Sequence, residues 1–329
     1  MSVVRLGSVF KDYLWGGTRL RDDFGKKSSL EKLAESWELA CHKDGSCTVE
    51  SGEFKGKTLE EYIQARGKSV LGTSCDSGKA FPVMIKLIDA KDDLSVQVHP
   101  DDEYALRTEG ELGKTEMWYV IDCEEGAQLI YGFKEELSKE RFGQMIKDGT
   151  FLDAVNSVPV KKGDVFFIPS GTLHAIGKGI LVAEIQENSN TTYRVYDYGR
   201  LGADGKPREL HIDKAIQVTD TKPAQRTEQF PAVRGDGFSY RLLARCGYFT
   251  AVKFDVDDSV KLSIDSRSFA HLLMLEGSGE IDCGGKLSAA KGDSFFADAG
   301  SGSVAIRGKC SFILTRNGCE EGIDRLVEK

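Results

Sequence analysis

His99, Glu116 and His174 are the residues in this chain whose types and spacing point most directly to a reacting centre, with Gln97 two positions before the first of them. In LSVQVHPDD, strand alternation puts Ser95, Gln97 and His99 on one face and Leu94, Val96 and Val98 on the other. If the apolar face packs outward under helices or loops, the three polar side chains look into an interior, where they need partners or a ligand. Glu116 stands just before the apolar run of GKTEMWYV, and His174 follows the Pro-Ser-Gly turn of GDVFFIPSGTLHAIG. Two imidazoles, a carboxylate and an amide oxygen, with no thiol, form a borderline-hard donor set suited to zinc, with manganese, iron or cobalt also compatible. A shell that leaves room for substrate or water is that of a catalytic site more than a structural one.

Each residue alone has a plainer explanation. A histidine at a strand end is more often hydrogen-bonded scaffolding than a ligand, and a glutamate before a strand is usually solvated. Spacing separates the readings: Gly163, Pro169, Gly171 and His174 fit G-x5-P-x-G-x2-H, the second motif of the cupin barrels. In that motif the turn swings the histidine inward, toward strand residues of the first motif. His42, His211 and His271 lie outside these segments and receive no role.

A further polar stretch, LVAEIQENSNTTYRVYDYGR, contains Glu184, Glu187 and Asp197 and carries Arg194 and Arg200, whose guanidinium forks match a phosphate or an enediolate oxygen. A strand followed by a turn rich in Asn and Thr suits the rim of a cavity. Lys86 is the one cation in the apolar strand FPVMIKLIDA, and Glu184 stands similarly inside ILVAEIQ; buried charges of this kind are rare without a partner or a task.

The elements that must position these residues are mostly strands. Runs of Val, Ile and Phe separated by Gly, Asp and Ser, with 36 glycines against seven prolines, predict a mainly β fold of short strands and tight turns. Helices are expected at KTLEEYIQARG, where Thr58 and Glu61 form a capping box, from Ser138 to Lys147, and near Leu210 to Val218. KGDVFFIPSG from Lys162 and KGDSFFADAG from Lys291 share K-G-D-x-F-F and a later Gly, and EMWYVIDCEEG parallels HLLMLEGSGEI. Two copies of one unit explain both matches, giving two cupin (jelly-roll) barrels with a few helices. The expected division is a catalytic domain over residues 1–218, a linker over 219–237 and a degenerate second barrel over 238–329, where Ser303 takes the position of His174.

A formal net charge of −8 without a basic run excludes nucleic acid and anionic membrane surfaces as expected partners, and leaves any phosphate site to a local group of Lys and Arg. No stretch approaches the ~20 apolar residues of a bilayer span, and no signal-like segment opens the chain. Eight scattered cysteines without a CxxC pair read as free thiols in a reducing, cytoplasmic setting.

FPVMIKLIDAKDDLSVQVHPDDEYA, GKTEMWYV, PSGTLHAIG and QENSNTTYRVYDYGR, together with the earlier KDYLWGG and AESWELA, resemble the short bacterial form of the type I phosphomannose isomerases. The likeness is close over the first 215 residues and looser beyond. It implies an aldose–ketose isomerase that interconverts mannose 6-phosphate and fructose 6-phosphate through a cis-enediol. It also implies one zinc ion held by Gln97, His99, Glu116 and His174, with Arg194 as catalytic arginine. Glu184, with Lys86, is expected at the proton transfer, and Ser95, Arg200 and Lys114 at the sugar phosphate. Asn190 departs from the pattern, standing where longer relatives carry an acid. Two other classes compete: another metal-dependent cupin enzyme, a dioxygenase or different sugar isomerase, and a sugar-phosphate sensor without turnover. Activity without oxygen separates the first, and a coupled assay on mannose 6-phosphate the second.

Overall fold

Because side chains alternate across a strand, each apolar–polar pattern decides which face of a sheet meets a core. Here the patterns build three large antiparallel sheets and a two-stranded one, Cys41–His42 with Gly45–Ser46, seen in a computed structural model that describes residues 2–75, 80–202, 205–225, 227–320 and 322–328. A six-stranded sheet runs in the order Val165–Ile168, Glu116–Cys123, Ile180–Glu187, Val83–Ala90, Glu35–Leu39, Val9–Lys11. A five-stranded sheet faces it, in the order Val155–Pro159, Gln128–Phe133, His174–Ala175, Val96–Val98, Tyr193–Tyr196. Ile88, Trp118, Val120 and Val182 from the first meet Leu129 and Tyr131 from the second in a buried core between them. The molecule is mainly β, two cupin barrels with short helices.

Helices cover the outside. Val96 and Val98 are buried with Phe142 of the Lys139–Asp148 helix and Ala215 of the Ile212–Val218 helix, so the apolar face of LSVQVHP does pack outward. Leu94 departs from the alternation: it precedes the strand and packs in the inner core. Leu59–Arg66 forms the first expected helix, and its capping box is complete, with Thr58 Oγ1 accepting from Glu61 N at 3.2 Å and Glu61 Oε2 from Thr58 N at 2.8 Å. Thr58→Ala should lower the unfolding free energy by ~1 kcal/mol, read from the denaturation midpoint; an unchanged midpoint would show that packing alone holds this helix. A helix absent from the sequence expectations, Asp102–Thr108, follows the site histidine strand and is capped by Asp101, whose Oδ1 accepts from Tyr104 N at 2.8 Å.

The second barrel is a ten-stranded sheet whose long members are Ala270–Asp282 and Gly302–Asn317. SVAIRG and CSFILT form a single strand: Arg307, Gly308 and Lys309 stay in the ladder opposite Glu280, Gly279 and Ser278. The internal repeat is visible in pairing. Val165–Ile168 pairs with Glu116–Cys123 as Ser294–Ala297 pairs with Ala270–Asp282, and each follows a turn whose glycine, Gly163 or Gly292, takes a left-handed φ of 90° or 87° that other residues avoid. Val3–Gly7 joins this second sheet through Ser294–Ala297, a pairing without a signal in the sequence. Across the seam between barrels, the Lys26 ammonium contacts Glu38 at 2.7 Å and donates to Gly292 O, while Ser294 Oγ donates to Glu38 Oε2 at 2.6 Å. A buried carboxylate needs such partners, since an unpaired buried charge costs several kcal/mol. Around residues 219–237, Asp220 N donates to Gly171 O and Gln229 Nε2 to Val165 O, so the expected linker runs along the first barrel; Arg226 lies outside the described residues.

Candidate metal centre and catalytic cavity

Two rows of cross-strand neighbours face each other inside the first barrel. On the five-stranded sheet, Tyr131 pairs with His174, His174 with Gln97, and Gln97 with Arg194. On the six-stranded sheet, Trp37 pairs with Lys86, Lys86 with Glu184, and Glu184 with Trp118. Residues directly opposite on neighbouring strands share a face, so the polar face read from LSVQVHP meets the lone charges of FPVMIKLIDA and ILVAEIQ in one interior.

His99, Glu116 and His174 converge there. Each offers one donor atom, and these atoms lie within 4.8 Å of one another, all three residues buried. His174 Nε2 is 3.4 Å from Glu116 Oε1, and His99 Nε2 is 3.6 Å from Glu116 Oε2. The tautomers are set from behind: His99 Nδ1 faces Thr191 O at 2.9 Å and His174 Nδ1 faces Thr172 O at 2.8 Å. A carbonyl only accepts, so each Nδ1 carries the proton and each Nε2 presents its lone pair to the other donors, the arrangement that orients metal-binding histidines. Burial pushes the His174 imidazole down to about 4, and burial with the Lys114 charge holds His99 well below its usual range, so both are neutral donors at neutral pH.

Glu116 completes the fit to a cation. Both its oxygens are buried and lack a hydrogen-bond donor aligned on them; the Lys114 ammonium, 2.5 Å from Oε2 and 3.1 Å from His99 Nε2, is an ion-pair neighbour of the same donors. Burial and the nearby Glu184 push the Glu116 carboxyl upward, a cost that a positive ion relieves. Two neutral imidazoles and a carboxylate therefore form a site that can hold a metal ion. The side-chain amide of Gln97, 3.4 Å from His174 Nε2, lies alongside.

Beside this centre a cavity of about 240 Å³ is lined by Gln97, Ser95, Lys86, Lys114, Glu184 and Arg194, among others. Lys86 Nζ lies 3.5 Å from Glu184 and 3.6 Å from Glu35. Each of these carboxylates accepts an indole N–H, Glu184 from Trp118 at 2.8 Å and Glu35 from Trp37 at 2.7 Å. Burial opposes charge on Lys86, but the carboxylates around it win and raise its pKa. Likewise burial opposes charge on Glu184, yet Lys114 and Lys86 lower its pKa. Arg194 Nε donates to Ser95 Oγ at 3.3 Å and NH1 to Glu209 O at 3.0 Å, leaving its charge without a hydrogen-bonded carboxylate among the described residues.

Of the residues singled out in the sequence, Gln97, His99, Glu116 and His174 come together, and Lys86, Ser95, Lys114, Glu184 and Arg194 share the cavity wall. Arg200 does not: its guanidinium turns to Asp93 O and Asp197. Arg208 stands on the wall in its place, from the polar segment KPREL that the sequence did not single out. His211 is also on the wall and braces Arg194, whose backbone N–H donates to His211 Nδ1 at 3.2 Å. Glu35 is the residue that reasoning could have reached, since a carboxylate in the buried ESWEL strand carries the same signal as Lys86. Asn190, also on the wall, donates to Asp44 Oδ2 at 2.8 Å.

With this geometry established, the likenesses of the chain to known proteins are specific. Residues 3–125 match the family model of the phosphomannose isomerase type I catalytic domain, a span holding Gln97, His99 and Glu116, and residues 240–317 match that of the mannose-6-phosphate isomerase cupin domain. The chain is 43% identical to the mannose-6-phosphate isomerase of Streptococcus mutans over 280 residues, 85% of this chain and 86% of that one. It is 40% identical to mannose-6-phosphate isomerase ManA of Bacillus subtilis over 309 residues, 93% and 96% of the two chains. The crystal structure of a Bacillus subtilis mannose 6-phosphate isomerase superposes with a TM-score of 0.90 at 39% identity, covering 96% of this chain and 99% of the other.

Proposed function

Because the chain belongs to the type I phosphomannose isomerase family, we infer that it interconverts mannose 6-phosphate and fructose 6-phosphate as an aldose–ketose isomerase. The observation that carries this reading to the chemistry is the His99–Glu116–His174 centre beside a cavity whose charges are arranged for proton transfer at one place and for an anion at another.

The ion proposed for the centre is zinc, held by His99, Glu116 and His174 with Gln97 as a further ligand, the donor set of a catalytic zinc site. When bound, zinc supplies Lewis-acid polarisation of the substrate's carbonyl and hydroxyl oxygens. The chain's own groups do the rest. Isomerisation moves a proton between two adjacent carbons, C1 and C2, through a cis-enediol, and a carbon acid beside a carbonyl needs both a positioned base and a stabilised oxyanion. Glu184 is the proposed proton carrier, kept ionised by Lys114 and Lys86 and oriented by the Trp118 N–H. Arg194, an uncompensated guanidinium, is proposed to stabilise the developing oxyanion. Ser95 and Arg208 are assigned to the phosphate, and Lys114 to the substrate beside the centre.

We further propose that residues 1–218 form the catalytic unit and 219–237 its connection to a second barrel, 238–329, without ligands of its own. The eight free thiols and the lack of a helix long and apolar enough to cross a membrane, among the described residues, support a cytoplasmic enzyme.

A coupled assay converting mannose 6-phosphate tests the reading. Turnover should vanish on chelation, return with added zinc and be the same with and without oxygen. Full activity in a chelated, metal-free preparation would remove the metal from the reaction, and no conversion by zinc-loaded protein would leave a binding protein instead.

A further inference from the structure

We propose that Asp197 is a positioning residue for substrate binding: it clamps Arg208 and, through Arg200, the strained turn that follows it, so that a guanidinium fork stands ready at the cavity wall. The proposal rests on the reading of Arg208 as a phosphate contact and extends it to a residue that does not itself line the cavity.

The geometry is specific. Asp197 is 5% exposed, yet it sits in a surface-facing stretch and takes up three donors. Arg208 donates Nε to Oδ2 at 2.7 Å and NH2 to Oδ1 at 2.5 Å, a two-point clasp, and Arg200 NH2 donates to Oδ1 at 2.5 Å. Arg200 is also fixed from behind, by donation to Asp93 O and by stacking of its guanidinium over the Tyr198 ring at 5.1 Å. Arg200 is thus a strut, and Arg208 alone of the two reaches the wall.

The backbone is bent to make this clamp. Arg200 N donates to Asp197 O at 3.0 Å across a turn whose two central residues, Tyr198 and Gly199, have φ of 58° and 67°. Tyr198 is the one non-glycine residue at positive φ among those described, and a bulky residue there stores strain that the surroundings must hold. Beyond the turn a bridge between Leu201 and Pro207, with Gly202 N donating to Lys206 O at 2.7 Å, returns the chain to Arg208 beside Asp197, and a side chain as mobile as arginine loses much freedom when it binds a ligand. Holding the fork in place beforehand removes that cost from substrate binding. The charges also favour it. Arg200 and Arg208 share the one Asp197 carboxylate, and Arg194 stands within reach of both their charges, so Asp197, with Glu209, offsets the repulsion among the guanidinium groups.

The test is a double-mutant cycle on the zinc-loaded enzyme, reading kcat and KM for mannose 6-phosphate and the competitive inhibition constant of inorganic phosphate. Arg208→Ala should raise both KM and that constant. Asp197→Asn should raise both by roughly ten-fold, the value of a lost charge-assisted contact, with kcat and metal content within about two-fold of wild type. In the Arg208→Ala background, Asp197→Asn should add less than about two-fold, because it acts through a group already gone. If Arg208→Ala changes neither constant, the phosphate reading itself fails. If Arg208→Ala raises them but Asp197→Asn does not, lowers them, or adds its full factor in the double variant, the positioning role is wrong. Should Asp197→Asn fold poorly, Arg208→Lys decides: lysine keeps the charge but cannot be clasped at two points, so KM should rise as in the alanine variant, and a wild-type KM would overturn the proposal.

Discussion

His174→Ala is expected to lose bound metal and turnover together, with kcat falling by at least ~10³, because Lewis-acid assistance is worth several kcal/mol and each 1.36 kcal/mol is ten-fold. His174 is fully buried, takes its place in the row Tyr131–His174–Gln97–Arg194, and has its Nδ1–H fixed by Thr172 O, so no neighbouring imidazole can replace its Nε2. Metal content by elemental analysis, alongside activity and a circular dichroism spectrum, checks it. A folded variant that retains a full complement of zinc would take His174 out of the coordination shell. Glu116→Gln should behave in the same way, since the amide removes the one negative charge among the three central donors.

Arg194→Ala should separate the two properties that His174→Ala joins. Its guanidinium is held by Ser95 Oγ and Glu209 O and touches none of the three central ligands, so metal content should stay at the wild-type level. Turnover should fall by ~10²–10³, the usual loss when one preorganised oxyanion donor is removed. Lysine at this position restores charge but not the planar fork, and should recover only part of the loss. Wild-type kcat in a zinc-replete Arg194→Ala protein would end the assigned role.

Much of the site was legible in the sequence because it is built on strands. A period of two is a strong local signal, and it put Gln97 and His99 together and left Val96 and Val98 to the outer helices, while Lys86 and Glu184 stood out as lone charges in apolar strands. The turn before His174 was legible for a related reason, since its glycines and proline restrict the backbone in a way few other residues allow. What escaped is carried by loops and by distant partners. Arg208 sits in a polar loop that looks like any solvated surface, and only the three-dimensional clasp of Asp197 brings it to the cavity in preference to Arg200. The Asp102–Thr108 helix buries only Ala105, so no apolar periodicity marks it in the sequence. The pairing of Val3–Gly7 with Ser294–Ala297 joins segments far apart in the sequence, and no local pattern encodes a contact at that separation.

The most direct measurement is anomalous diffraction at the zinc absorption edge from crystals of the zinc-loaded protein. A single strong peak is expected among His99 Nε2, His174 Nε2 and the Glu116 carboxylate, at ~2.0–2.2 Å from each. A peak bound elsewhere on the chain, with these three side chains making no contact to it, would contradict the account.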